Sequence, residues 1–159
     1  MEGLTFRDLT EADYPVFDWF ERVLQTMHQQ ARPDLFANCS PPVSKSEFLQ
    51  LLADSCQLLF FAEAGAEVAG MCVVALREPS SNPLLVPQKS AHIDDLIVAE
   101  PFRRKGVGQA MMQEARRRAD AWGAANLSLK VWAFNEEAVA FYQAIGMNIR
   151  SYTMDVDLT

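Results

Sequence analysis

Paired cysteines and paired histidines are both missing from this sequence. The three cysteines, Cys39, Cys56 and Cys72, stand apart with no Cys-x-x-Cys spacing. That excludes a zinc ribbon and a disulfide framework, and fits reduced thiols in a cytoplasmic protein. The two histidines, His28 and His92, lie far apart and form no ligand motif, so no metal is expected. Basic residues are outnumbered, 14 Lys and Arg against 21 Asp and Glu, for a net charge of −7. This balance argues against nucleic acid or an anionic membrane surface as the main partner, and permits a cationic acceptor such as an amine. No apolar run approaches membrane-spanning length, and the opening MEGLTFRD has neither the basic segment nor the apolar stretch of a leader. The expected location is therefore cytoplasmic. Repeats, low-complexity segments and a domain boundary are absent too. A chain of 159 residues, half of them apolar, is expected to form a single domain spanning residues 1–159 around a substantial core.

Glycine is scarce, with seven in the chain, and two of these fall in the stretch around which the sequence is organised, Ala91–Gly108, AHIDDLIVAEPFRRKGVG. It reads as a buried strand from Ala91 to Val98, a turn with Pro101, three cations at Arg103, Arg104 and Lys105, then Gly106-Val107-Gly108 opening a long helix. Strand, glycine turn and helix start leave backbone N–H groups free at the positive end of the helix dipole, an arrangement suited to phosphate. Glycine lets a pyrophosphate approach the backbone. A P-loop is excluded because Gln109 and Ala110 follow Gly108 where Lys and Ser or Thr would be needed. A dinucleotide fingerprint fails at Met111.

What remains, Arg103-x-x-Gly106-x-Gly108, resembles motif A of the GNAT superfamily of acyl-CoA-dependent N-acyltransferases. Downstream, Asn135-x-x-Ala138-x-x-Phe141-Tyr142-x-x-x-Gly146-Met147 resembles motif B of the same family, with Met147 in place of the usual Phe. The resemblance covers the chain from about Gln57 onward, and the first third only loosely. It implies an α/β fold of GNAT type, a mixed and mostly antiparallel central sheet of about six to seven strands flanked by about four helices. It also implies acetyl-CoA as acyl donor, transfer by direct attack of an amine, a small-molecule or peptide amine as acceptor, and a homodimer as a common state.

The pattern of the chain fits such a fold. Leu4–Leu9 alternates as a strand, and Thr10 caps the next segment with Asp13 three residues on. Val16, Phe17, Phe20, Val23, Leu24 and Met27 follow helical spacing to about Gln30. After turns at Pro33 and Pro41-Pro42, Ser44 and Glu47 form a capping box for a helix ending near Asp54. Leu58–Ala64 and Val68–Arg77 form a hairpin, and Glu78–Gln88, with three prolines, reads as loop. After Gly108, Val107, Ala110, Met111, Ala115, Ala119 and Trp122 share one helical face, while Arg116, Arg117 and Arg118 fall largely toward water. Gly123 stops that helix. Asn126–Ala133 reads as a strand, Glu136–Ala144 as a short helix, and Asn148–Leu158 as a closing strand.

The resemblance assigns roles residue by residue. The Arg103, Arg104, Lys105, Gly106, Val107 and Gly108 segment would bind the CoA pyrophosphate, and Leu96, Ile97 and Val98 would hold the pantetheine arm through backbone bonds. A backbone N–H near Leu96 would face the thioester oxygen. The family's strand is bulged and splayed here, which no sequence rule reveals. Asn135 matches a cofactor ligand, and equally a helix cap. Tyr142 matches the general acid that protonates the departing thiolate; a phenol near pKa 10 holds its proton at neutral pH. The amine must lose a proton. Asp94 and Asp95 are neighbours in the strand, so they should point to opposite faces, and either could serve as base, Asp94 matching acidic positions in related enzymes. His28, Arg32 and Phe36, with Asp34, fall on the wall of the acceptor site, where core filling by Phe36 and turn capping by Asp34 are the simpler reading. A non-catalytic CoA-binding module is the alternative; Tyr142 and the acidic pair argue against it, since such a module need not keep them.

Overall fold

The computed structural model describes residues 3–158. Five strands, β1 (Leu4–Asp8), β2 (Gln57–Ala64), β3 (Glu67–Arg77), β4 (Ser90–Val98) and β5 (Leu127–Leu129), lie side by side in chain order. The first three neighbour pairs are antiparallel, and β4 and β5 are parallel. Among the described residues there are four α-helices, α1 (Tyr14–Ala31), α2 (Lys45–Ala53), α3 (Val107–Trp122) and α4 (Glu136–Ala144), with short 3-10 turns at Glu11–Asp13 and Glu100–Phe102. The hairpin forms as expected, with Gly65 at φ +65 in its tight turn. The capping box also forms: Ser44 Oγ accepts from the Glu47 N–H, and the Glu47 carboxylate accepts from the Ser44 N–H at 2.8 Å. Local signals of this kind specify helix starts without help from the rest of the fold.

The sheet has two covered faces. On one, Val107, Met111, Met112, Ala115 and Ala119 of α3 pack on Phe60, Cys72, Val74 and Ile93, with Phe141 and Tyr142 of α4 alongside. On the other, Phe17 and Phe20 of α1 and Phe48 of α2 pack on Phe61, Met71, Val73 and Ile97. β3, which runs between the two layers, is buried along eight consecutive residues. A central strand covered on both sides reads as a continuous apolar run for this reason.

Several expectations are corrected here. The described sheet has five strands, not six to seven. Asn148–Leu158 alternates in sequence but pairs with no strand, and Tyr152, Met154, Val156 and Leu158 are exposed. Alternation says only that a segment suits a half-buried sheet position; a partner has to be supplied from elsewhere. The strand expected over 126–133 is ladder-bonded only over Leu127–Leu129. In α1, Val16 and Met27 face outward and Glu21 is buried beside Phe17 and Phe20. Of the three arginines of α3, Arg118 turns inward. It pairs with Asp8 of β1, bonds Glu114 at 2.7 Å and lies 4.6 Å over the Phe60 ring. Its stem covers apolar surface while its head stays paired. Among the described residues no helix is long and apolar enough to cross a membrane.

Candidate active site

The first turn of α3 supplies the anion site. Gly106 caps the helix at φ +83 with no side-chain cap, and Arg104 also sits in the left-handed region at φ +59. Ala110 is the first residue of the helix whose N–H returns to a carbonyl, Gly106 O at 3.0 Å. The N–H groups of Val107, Gly108 and Gln109 therefore remain as donors at the positive end of the dipole. The two glycines do different work. A Cβ on Gly106 would meet nothing within 4 Å, so its requirement is the positive φ. A Cβ on Gly108 would lie 3.3 Å from Phe141 Cζ and 3.6 Å from Val98 Cγ2, so this glycine lets α3, α4 and the end of β4 come together.

The cations before them are not equivalent either. Arg103 Nε donates to Val98 O at 3.1 Å and so ties the loop back to β4. Arg104 reaches Glu137 at 2.9 Å with both side chains largely exposed, and Lys105 hangs 5.9 Å from the Phe102 ring. Asn135 Oδ1 accepts from the Ala138 N–H at 3.2 Å, so it caps α4.

β4 changes character halfway along. On the β5 side it pairs through Ala91–Leu127, His92–Ser128 and Ile93–Leu129, and there the pairing stops although β4 runs on to Val98. On the β3 side the register shifts at the same place: Ile93 lies opposite Val74 and Asp95 opposite Val73, so Asp94 is an extra residue, a β-bulge. The ladder register is interrupted between the two aspartates' neighbours. Asp94 is exposed, whereas Asp95 is half-buried on the α1 side of the sheet, in register with Val73 and followed by Ile97 on that face. Leu96, opposite Cys72, faces α3. Burial, and then the neighbouring Asp94 charge, push the Asp95 carboxyl above its usual range.

Tyr142 lies on the α3 side, half-buried against the same cluster as Cys72 and Leu96 and 5.2 Å from the Phe141 ring. Burial, with a smaller contribution from Cys72, pushes its phenol up to about 12. The Cys72 thiol is itself pushed far up by burial, so it stays an inert core group.

On the opposite side, His28 stacks on Phe36 with ring centroids 4.9 Å apart, and burial lowers the His28 pKa. Arg32 pairs with Asp34 at 2.7 Å and with Asp155 at 3.3 Å. Trp132 and Phe134, from the segment after β5, join this group: Trp132 meets Phe36 edge-on at 5.1 Å and stacks on Phe134 at 6.1 Å. The structure thus brings His28 and Phe36 together and adds two aromatics that the sequence reading did not single out. Arg32 belongs to an exposed ion-pair group at the end of α1.

The sequence reading also missed Glu21. It is the buried charged residue of the core, 8% exposed, and its Oε1 has no hydrogen-bond partner. Burial, then Asp95 and Asp18, push its carboxyl upward. A signal did exist: Phe17, Phe20, Glu21 and Leu24 lie on one helical stripe, so Glu21 occupies an inward position.

Residues 14–147 match the acetyltransferase (GNAT) family. An uncharacterised N-acetyltransferase, YdgE of Bacillus subtilis, is 41% identical over 70 residues, 44% of this chain and 45% of that protein. An N-alpha-acetyltransferase of Sulfolobus acidocaldarius is 28% identical over 99 residues, 60% of this chain and 59% of that one. Less than two thirds of either relative is thus spanned. Among solved structures, the tetramutant of BH1408 from Bacillus halodurans superposes with a TM-score of 0.91 at 24% identity, covering 97% of this chain and 99% of that one. An aminoglycoside acetyltransferase, meta-AAC0020, from an uncultured soil metagenomic sample superposes at 0.74 with 19% identity, over 98% of this chain and 95% of that one.

Proposed function

The chain belongs to the GNAT acetyltransferase family, and from that footing we propose that it moves an acetyl group from acetyl-CoA to a primary amine by direct attack. The observation that carries the proposal is the parting of β4 from β5 at Ile93 and Leu129, beside the Asp94 bulge. The parting leaves the backbone of residues 94–98 without a strand partner on the β5 side, with Arg103 bonded to Val98 O. That slot separates the α3 face, with Tyr142 and the helix start, from the α1 face, with Asp95. Donor and acceptor can then reach one point from opposite faces of the sheet.

The residues present fit the donor. The free N–H groups of the first α3 turn and the exposed Arg104 and Lys105 side chains suit a pyrophosphate. The unpaired edge at Leu96, Ile97 and Val98 suits the amide groups of a pantetheine arm, which need strand-like backbone partners because these side chains offer none. Bound there, the thioester supplies an activated acyl carbon. A β4 N–H by Leu96 would hold its oxygen, where negative charge grows during attack. Asp95 takes the proton of the attacking ammonium, directly or through water, so that the nitrogen lone pair is free to form the C–N bond. The C–S bond breaks with its electron pair on sulfur, and the Tyr142 hydroxyl donates to that thiolate as it leaves. The second proton of the nitrogen, made acidic once the C–N bond forms, passes by way of Tyr142 or water to sulfur, so that amide and thiol are the products.

Thermal denaturation with acetyl-CoA, ATP and NAD tests the donor. At a hundred times its dissociation constant a ligand stabilises by about 2.7 kcal/mol, readily seen in a melt. The expected result is a clear rise with acetyl-CoA and little with the nucleotides that lack pantetheine, followed by thiol release on adding a primary amine. A melt unmoved by any CoA ester would refute the proposal.

A further inference from the structure

Two carboxyl groups of α1 and one of β4 lie toward the apolar layer between that helix and the sheet. Glu21 is more than nine-tenths buried and its Oε1 finds no partner; Asp18, three residues earlier on the same helix, has a buried and unpartnered Oδ1 while its other oxygen accepts from Arg22 Nε at 2.8 Å. Asp95 faces them from the bulged strand, and it acts electrostatically on Glu21, as Asp18 does. Arg22 is the cation bonded to this group, and it serves Asp18 from an exposed position. The walls are apolar: Phe17, Phe20, Val73 and Ile97. A buried carboxylate without a hydrogen-bond partner is costly, so burial holds Glu21 toward its neutral form until a cation from outside favours the charged one.

We infer that Glu21 and Asp95, with the inner oxygen of Asp18, form the seat for the acceptor's ammonium group, and that the acceptor is an aliphatic primary amine with no carboxylate beside the amine. The charge and the walls select this class together. An alkylammonium has an apolar stem for Phe17, Phe20 and Ile97 and three donors for the unfilled oxygens, whereas a free α-amino acid would bring its own carboxylate against three others. Asp95, the half-buried member, is one residue from Leu96 and the slot. An ammonium seated between it and Glu21 is therefore placed to give up its proton beside the acyl carbon. The inference deepens the acetyl-transfer reading and rests on it for the identity of the bound amine.

The test uses the full chain and 1,4-diaminobutane as probe. Calorimetric titration of the diamine without any donor reads the seat alone; thiol release with acetyl-CoA and the same diamine reads transfer. Glu21→Gln should weaken diamine binding and raise its KM about tenfold or more, the loss of a charge-assisted bond, while acetyl-CoA affinity is unchanged. Glu21→Asp should recover part of the loss. Asp18→Asn, at a less buried position, gives the same readout if glutamine at 21 disturbs the core. Diamine binding that depends on Glu21 without thiol release would support the seat and overturn the transfer reading. Thiol release and diamine binding both indifferent to Glu21→Gln and Asp18→Asn would overturn the seat and leave transfer standing. Glycine bound as tightly as the diamine would overturn the assigned class.

Discussion

Replacing Tyr142 with phenylalanine separates the chemistry of α4 from its packing. The ring packs against the cluster containing Cys72, Leu96 and Met147, and among the described residues its hydroxyl makes no hydrogen bond, so Phe keeps the contacts and removes no internal bond. Stability should change by less than about 0.5 kcal/mol, because an apolar isostere in place of an unpaired hydroxyl is close to neutral. The effect on turnover follows from the phenol's acidity. Burial holds it at about 12. A thiol ordinarily titrates near 8.5, so complete proton transfer to the leaving thiolate is some three to four units uphill, roughly 5 kcal/mol. The hydroxyl therefore acts mainly as a strong donor to negatively charged sulfur, worth about 1.5–3 kcal/mol. Tyr142→Phe should lower kcat about 10- to 150-fold, less than loss of a full general acid, with the acetyl-CoA dissociation constant unchanged. Because the phenol stays protonated well past its usual range, the wild-type rate should show no alkaline loss attributable to Tyr142 below pH 10. Stopped-flow thiol detection across pH, with a melting curve as control, reads both numbers. A well-folded Phe variant with wild-type kcat would refute the assignment.

The two glycines of the α3 start should fail for different reasons. Gly106→Ala forces a side chain into φ +83, costing about 1 kcal/mol net of the stiffer unfolded chain, or roughly 2–4 °C in Tm. Gly108→Val crowds Phe141 and should cost about 1–3 kcal/mol, part of it recovered by Phe141→Leu in a double-mutant cycle; additive effects would mean that the contact is not what Gly108 serves. On the acid side, the Arg7 guanidinium, donating to both oxygens of Asp13 at 2.8 Å, holds that carboxyl at about 2. A depressed folded pKa gives stability that is present above the unfolded value of 3.8 and is lost as pH falls toward 2. Arg7→Ala should flatten the fall in Tm over that window and lower stability at neutral pH modestly, by about 1 kcal/mol for a pair whose Arg7 side is solvent-screened; an unchanged acid limb would exclude the pairing as its cause.

What the sequence disclosed was mostly local. Ser44 and Glu47, Gly65, and the strand–glycine–helix order of 91–108 each carry their own geometry within a few residues, and each appears where expected. The misreadings share one cause: they needed information from a partner element. The 148–158 segment has a strand's alternation but no ladder, because nothing in its own residues supplies a neighbour. Glu21 lies on the inward stripe of Phe17, Phe20 and Leu24, but that its carboxyl finds no partner shows only once the sheet is set against α1. The register shift beside Asp94 and Asp95 likewise depends on β3, and strict alternation within β4 does not announce it.

That inserted residue joins the separate features of the site. Asp94 lies directly after the last β4–β5 pair, and beyond it Leu96 faces α3 while Asp95 faces α1. Deleting Asp94 alone would put Ile93 and the present Asp95 in consecutive register against Val74 and Val73, leaving every other β3–β4 pair intact. The ladder would gain regularity, so the variant should fold and melt within about 1 kcal/mol of the parent. What it would lose is the local twist that turns β4 away from β5, and with it the unpaired edge. Acetyl-CoA should then no longer raise the melting temperature, although the first turn of α3, Tyr142 and the basic loop are all retained. If the deletion variant still binds acetyl-CoA like the parent, the slot is held open by something other than the bulge, and the opposed-face geometry argued for the two substrates would have to be abandoned.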